Sequence, residues 1–348
     1  MNSSYRTGFL LAAVACVLVG ASFTAGGALV QYPHAGGQAL RYASAALLLL
    51  WPSRGGAARK LRSLTARHWA LAAAVAGVGM VGFNLSILAA ERTAQPAVPG
   101  VLVGCAPVVV AVLVPLGAGR RPSPAVVTGA LLVASGAFAV QGWGGTDTAG
   151  LCWSVAALAG EVGFALLAAP LVGRLGPPLL SACVCALAAL EAAGVAAVCD
   201  GRAALRVPTG AETLALAWQS VVATVIGFVC WYAGMQRIGA ERATLCSGLI
   251  PVSAALTAPL VGVGTFGAGR LMGSALVATG VAVGSGALRR RGRARPVRVR
   301  DAVRTGRARS AVGRTASRTE PGAAGPRAAS DSAAAGRDRA VATPASRR

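Results

Sequence analysis

Two carboxylates and one guanidinium stand where a chain can least easily hold a charge. Glu161, Glu191 and Arg41 each fall near the middle of a long apolar stretch. An ionisable group at bilayer depth costs several kcal/mol unless it faces a cavity or a partner, so each is a functional candidate. Glu161 is the sharpest, about one residue from the centre of its stretch, with Arg41 about two and Glu191 about three from theirs. A buried acid can exchange a proton with substrate, which would make Glu161 a coupling residue. The competing reading is a Glu–Arg pair that locks helices together, since Arg41 comes within reach of either acid in a suitably closed bundle. Asn84 and Thr224 are polar places in otherwise apolar helices. Asn84 either lines a cavity or hydrogen-bonds across helices; Thr224 either does likewise or satisfies the carbonyl four residues back.

Other chemistry is not indicated. There is no metalloprotease pair, nucleophile elbow or P-loop, so no catalytic residue is assigned and no enzyme is expected. The eight cysteines are scattered in or beside apolar stretches, and Cys183-Val-Cys185 has the wrong spacing for a zinc knuckle. No metal or other cofactor is expected. His34 and His68, the two histidines, lie in or beside loops and read as solvated. The stretch Gly262-Val-Gly264-Thr-Phe-Gly267 matches a nucleotide fingerprint superficially, but small residues for close helix approach explain it better.

The elements that must position these residues follow from composition. Of 348 residues 55% are hydrophobic and 13% charged, against about 25% charged in soluble proteins. A membrane helix needs roughly 20 mainly apolar residues. Ten such spans can be marked: 8–30, 35–51, 68–90, 96–116, 124–142, 149–172, 178–199, 214–236, 243–262 and 268–288. The first is longer than a signal core and reads as a retained helix. Arg54, Arg59, Lys60, Arg62 and Arg67 follow span two, Arg120 and Arg121 span four, Arg174 span six, and Arg237 and Arg242 span eight. Alternate gaps are poorer or balanced by acids, and only Arg270 runs against the trend. By the positive-inside rule both termini are cytoplasmic. Trp51, Trp69, Trp143, Trp153, Trp218 and Trp231 all lie within about one and a half turns of a proposed helix end, where indole rings favour the interface.

The chain also repeats itself. At an offset of 144 residues Pro107, Pro115, Gly129 and Gly136 fall on Pro251, Pro259, Gly273 and Gly280. Five spans per repeat is an odd number, so the second copy must lie inverted, a recurrent device of secondary transporters. Pro107 and Pro251 fall near the middle of spans four and nine, where each removes a donor and frees a carbonyl. Ser247 has a hydroxyl to offer there; Val103, its counterpart before Pro107, has none. Interrupted spans at matching places point to a substrate site, although a kink used only for packing explains them equally well.

These residues resemble the EamA family of the drug/metabolite transporter superfamily over roughly residues 8–288. Gly20-Ala-Ser-Phe23 is similar to that family's small-residue entry, Arg41-Tyr42 to its Arg-aromatic pair, and Ala106-Pro107-Val108 and Ile250-Pro251-Val252 to its central prolines. The Gly-x6-Gly pattern of spans five and ten resembles its closing helices. One departure stands out: Gly119-Arg120 and Val263-Gly264 occupy the places where the family often has Gly-Glu. The resemblance implies a solute carrier, often an exporter of amino acids or related metabolites.

The expected architecture is therefore an all-α membrane protein: two inverted five-helix repeats, 8–142 and 149–288, and a disordered basic tail, 289–348. The tail holds 17 arginines and 4 acids and would meet anionic lipid headgroups; no nucleic acid is expected, and a homodimer is left open. The expected activity is secondary transport of a small polar metabolite across a bacterial inner membrane. The rival is a scaffold or sensor that keeps the fold and moves nothing. Glu161, Arg41, Asn84, Glu191 and Thr224 are the candidate substrate-binding or coupling residues, beside the helix breaks at Pro107, Pro251 and Ser247.

Overall fold

A computed structural model describes residues 3–95, 97–142, 144–257, 259 and 267–286. Trp143, residues 262–266 of the glycine-rich stretch with Val263-Gly264, and the arginine-rich tail 289–348 lie outside these residues, as does the side chain of Phe23. Among the described residues there is no strand. The chain runs through α1 (Ser3–Gly26), α2 (His34–Arg62), α3 (Ala66–Ala90), α4 (Ala97–Gly117), α5 (Pro124–Gln141), α6 (Thr148–Leu175), α7 (Pro177–Cys199), α8 (Gly210–Ile238), α9 (240–257) and α10 (Ala268–Gly284).

Seven of these, α1 and α3–α8, are long and apolar enough to cross a membrane. The remaining expected spans also fall on helices, without meeting that criterion. In α2 the cause is polar: Gln38 and Arg41 interrupt its first half, and its second half is basic and kinks at Gly55 and Gly56. The cause in α10 is length, 17 residues, and α9 is described only as far as Thr257.

Local signals set the ends. Asp147 caps α6 by accepting from the Gly150 amide at 2.7 Å, and Pro124 and Pro177 start α5 and α7 where a missing N–H costs nothing. Gly176 and Gly239 adopt φ of 79° and 80°. Only glycine does so without strain, and each lets the next helix begin at once.

The helices pack through small residues. Helix α2 lies against α7, α1 against α8 and α9, α6 against α3 and α4, and α5 against α10. One core joins α1, α2, α3, α6, α7, α8 and the start of α9. At the α5–α10 crossing the backbones nearly touch. A Cβ on Gly136 would lie 2.7 Å from the Gly273 carbonyl oxygen, and one on Gly273 2.7 Å from that of Gly136. Gly129 and Gly280 repeat the relation at 2.6 Å in both directions. Without a hydrophobic drive between helices in lipid, such close approach is what holds them together. Outward, Leu10, Leu47, Leu190, Leu214 and Leu271 are exposed, a surface suited to hydrocarbon rather than water.

Of the tryptophans expected as interface anchors, Trp69 and Trp153 are exposed in the first two turns of α3 and α6, while Trp51 and Trp218 are exposed but inside α2 and α8 rather than at their ends. Trp231 departs from that expectation: it is 6% exposed, inside the core. It sits on the face of α8 that also buries Tyr232 and Met235, and proximity to a helix end does not reveal which face a residue occupies.

Gly136→Leu or Gly280→Leu should lower the unfolding midpoint of the purified protein, at about 1–3 kcal/mol each for overpacking. A Cβ at Gly173 meets nothing within 4 Å, so Gly173→Ala should leave the midpoint unchanged or slightly raised. Thermal unfolding in detergent distinguishes the two classes; an unaltered midpoint for Gly136→Leu would refute the close crossing.

Candidate functional site

Four helices depart from regular α geometry in the interior. Helix α3 opens into a π turn at Gly77–Gly82 and α8 into another at Gln219–Ile226. Helix α4 breaks at Cys105, and α9 tightens into a 3₁₀ stretch at Thr244–Gly248. Pro107 is consequently not the mid-helix lesion that sequence suggested. It lies in the first turn of Ala106–Gly117, where its missing donor is no loss. Pro251 similarly follows the 3₁₀ stretch as the third residue of Leu249–Thr257. The Ser247 hydroxyl donates to the Thr244 carbonyl at 2.7 Å. It thus serves the 3₁₀ turn and not the carbonyl that Pro251 frees, which is its own.

Around these irregularities the polar candidates fall into separate groups. Arg41 on α2 donates through Nε to Thr224 Oγ1 at 2.8 Å. Ser220 donates to the Arg41 carbonyl at 3.1 Å and shares a hydrogen bond of 2.8 Å with Ser44. The first half of α2 is thereby fastened to the π turn of α8. Thr224 itself donates to the Gln219 carbonyl at 2.9 Å, five residues back rather than four, because the π turn shifts the free acceptor by one residue. Next to Arg41, the buried Tyr42 accepts from Asn84 Nδ2 at 3.2 Å, and the same amide donates to the Met80 carbonyl at 2.7 Å inside the α3 π turn. Asn84 therefore does hydrogen-bond across helices. Arg41, Thr224, Tyr42 and Asn84 link α2, α3 and α8.

The two acids stand apart from that cluster. Glu191 on α7 packs against the start of the α3 π turn: a Cβ on Gly77 would lie 3.1 Å from Glu191 Oε2, which is buried and without a hydrogen-bond partner among the described residues. Glu161 on α6 is half-buried and lies near Cys16 of α1. No hydrogen bond or ion pair reaches its carboxylate among the described residues. Three residues further along α6, Phe164 packs with Phe228 and Tyr232 of α8, ring centroids 5.3 and 5.6 Å away. The Glu–Arg lock weighed from sequence is absent among the described residues. The ion pairs found there, Arg120–Glu241 at 3.0 Å and Arg206–Glu212 at 2.6 Å, lie at helix ends.

Arg120 is the residue that departs from the family's Gly-Glu pattern, and it ties the α4–α5 connection to the start of α9. At the other end of α8, Arg206 grips Glu212 with both terminal nitrogens and lies over the Tyr32 ring. Tyr32 donates back to the Arg206 carbonyl at 2.8 Å, and Asp200 Oδ2 accepts from the Gly36 amide at 2.9 Å. These bonds join the α1–α2 connection to the α7–α8 connection.

Sequence reading missed several groups. The Ser44–Ser220 pair and the buried Tyr232 gave no signal, since serine and tyrosine are ordinary in apolar helices; Tyr42 was marked only by the Arg-aromatic resemblance. His34, read as solvated, has its Nε2 buried without a partner among the described residues. His68 is half-buried beside a connection, its Nδ1 bonded to the Thr65 hydroxyl at 2.7 Å. Among the described residues no group of His, Cys, Asp or Glu could hold a metal ion.

Comparison with known proteins bears on the same helices. The model of the EamA-like transporter family matches residues 148–285, which span α6–α10. No curated protein matches the sequence. A crystal structure described simply as that of a protein superposes with a TM-score of 0.69 at 22% identity, covering 81% of this chain and 99% of its own. At that identity the likeness concerns the fold. With seven helices apolar enough to span, this is a multi-pass membrane protein, and over residues 148–285 it matches the EamA-like transporter family.

Proposed function

We propose that the protein is a secondary transporter of a small polar metabolite, working by alternating access between two inverted five-helix repeats, 8–142 and 149–288. In this reading ten helices cross a bacterial inner membrane and both termini are cytoplasmic. The observation that carries it is the matched pair of interruptions: π turns in α3 and α8, and breaks in α4 and α9 just before Pro107 and Pro251. Interrupted helices at corresponding places in two halves are the usual site architecture of such carriers.

The glycine contacts support inversion independently. At the offset of 144, Gly129 corresponds to Gly273 and Gly136 to Gly280. Gly129 meets Gly280 and Gly136 meets Gly273, so each glycine touches the counterpart of the other. Reciprocity of this kind arises across a two-fold axis. Contact indices that rise on α5 while falling on α10 mean that the two helices run antiparallel, as an odd number of spans per repeat requires. The ties at either end of α8, Arg206–Glu212 with Tyr32 and Arg120–Glu241, suit contacts that open alternately. Glu161, unpaired beside the interrupted helices, is the group placed to couple a proton to transport.

Proteoliposomes carrying the full chain should show flux of some amino acid, purine or related metabolite, faster with a proton gradient than without. No flux of any tested solute would favour the scaffold or sensor. Glu161→Gln should express normally yet lose the pH dependence of transport, at a cost of about tenfold or more in gradient-driven rate; wild-type pH dependence in that variant would remove Glu161 from coupling. For topology, with the eight native cysteines replaced, Gly145→Cys should react with an impermeant maleimide in intact cells and Ser63→Cys should not. The reverse pattern would invert the orientation.

A further inference from the structure

We propose that one face of α2, carrying His34, Gln38 and Arg41, binds a small organic carboxylate, with the Arg41 guanidinium holding the carboxylate group. What the ligand does there rests on the transporter reading; whether it binds does not. Side chains four and three residues apart on a helix lie over one another. These three therefore form a single stripe from the first turn of α2 inward. The stripe meets the π turn of α8 through Arg41 and Thr224, at the meeting of the two proposed repeats.

Three observations mark a ligand site rather than simple packing. Gln38 Oε1 and His34 Nε2 are both buried with no hydrogen-bond partner among the described residues. Buried polar atoms are nearly always satisfied, and exceptions need an explanation. Secondly, the Nε bond to Thr224 and the Tyr42 ring, its centroid 5.3 Å from the guanidinium carbon, fix the plane of the guanidinium, while its two terminal nitrogens have no hydrogen-bond partner among the described residues. Thirdly, no carboxylate of the described residues pairs with Arg41, the ion pairs there being Arg120–Glu241 and Arg206–Glu212. A guanidinium held by Nε presents its terminal nitrogens as a planar fork, the geometry that binds a carboxylate through two parallel hydrogen bonds.

The neighbours refine the ligand. Gln38 Oε1, one turn nearer the start of α2, can only accept, so it selects a ligand with an N–H or O–H close to its carboxylate. Asp200 is the acid near His34, and it is engaged by the Gly36 amide. Bonded at Gly36, it sits at the His34 end of the stripe, and no ion pair joins it to Arg41 among the described residues. Its charge also disfavours a second anion at the His34 end, which suits a monocarboxylate better than a dicarboxylate.

The test measures binding on the full-length protein in detergent, with no gradient, by thermal shift. Lactate, leucine and phenylacetate are each compared with the matching amide, in which the charge is removed and the shape kept. At least one acid should raise the unfolding midpoint in a concentration-dependent way, with its amide about tenfold weaker or worse. Arg41→Gln should weaken the acid by a similar factor, and Arg41→Lys by less. Gln38→Glu, nearly isosteric, should also weaken it by setting a competing carboxylate beside Arg41. The proposal is overturned if no acid binds, if acid and amide bind alike, or if Arg41→Gln and Gln38→Glu both bind as wild type does. Binding that depends on Arg41 without any flux would sink the transporter reading and leave this site standing; flux of neutral or cationic solutes without acid binding would do the reverse.

Discussion

Inside a bilayer every backbone N–H and C=O must find its partner within the protein, and this structure is arranged around that demand. Where the helices are regular the ladder suffices, and hydroxyls simply fold back. Ser22, Ser154 and Ser181 donate to the carbonyls of Leu18, Gly150 and Pro177, four residues earlier. At the interruptions the ladder fails locally and side chains repair it. Thr224 reaches the carbonyl five residues back, Asn84 serves the π turn that precedes it, and Ser247 serves the 3₁₀ stretch of α9. Both π turns and the 3₁₀ stretch thus carry their own polar side chains. A helix repaired in this way can bend within hydrocarbon without exposing bare backbone.

Rigid and pliable parts are accordingly separated. Helices α5 and α10 meet backbone to backbone through four glycines, a fit that tolerates almost no repacking because any added atom collides with a carbonyl. Helices α3, α4, α8 and α9 hold the π turns and breaks, and two of them, α3 and α8, join α2 in the polar cluster of Arg41, Tyr42, Asn84 and Thr224. In an alternating-access cycle the glycine crossing would serve as the fixed seam, while the interrupted helices absorb the changes in backbone angle. The loop ties at the two ends of α8 fit that division, since ion pairs near water are weak enough to exchange.

Much of this was legible from sequence because hydrocarbon imposes a coarse code. Apolar length marked where helices lie, and the paired prolines and glycines marked where both halves do something unusual. What stayed hidden depended on the face a residue occupies and on register. Trp231 lies near a helix end yet points into the core, since the hydropathy of α8 does not fix its rotation. The π turns add a residue to a helical turn without any proline to announce them, so Thr224 finds an acceptor one position away from the expected one. His34 looked like a loop residue because it opens α2, but the α7–α8 connection, held down by Asp200 and Arg206, covers it. The Ser44–Ser220 bond spans 176 residues, and no local pattern predicts it.

The charges make the final connection between fold and chemistry. Had Arg41 paired with Glu161 or Glu191, the three would be explained as a helix lock and nothing more. They are instead held apart, and by different means. Arg41 is oriented through Nε, leaving its forked end available. Glu191 presses against the Gly77 backbone at the start of the α3 π turn, where a larger residue would displace it. Glu161 is half-buried, with neither a hydrogen bond nor an ion pair among the described residues to hold it. A cation already oriented and an acid left unrestrained are suited to different tasks, since one can grip a fixed charge on a solute and the other can gain and lose a proton. In the proposed cycle, keeping them on separate helices would allow both tasks, because filling the first site need not neutralise the second.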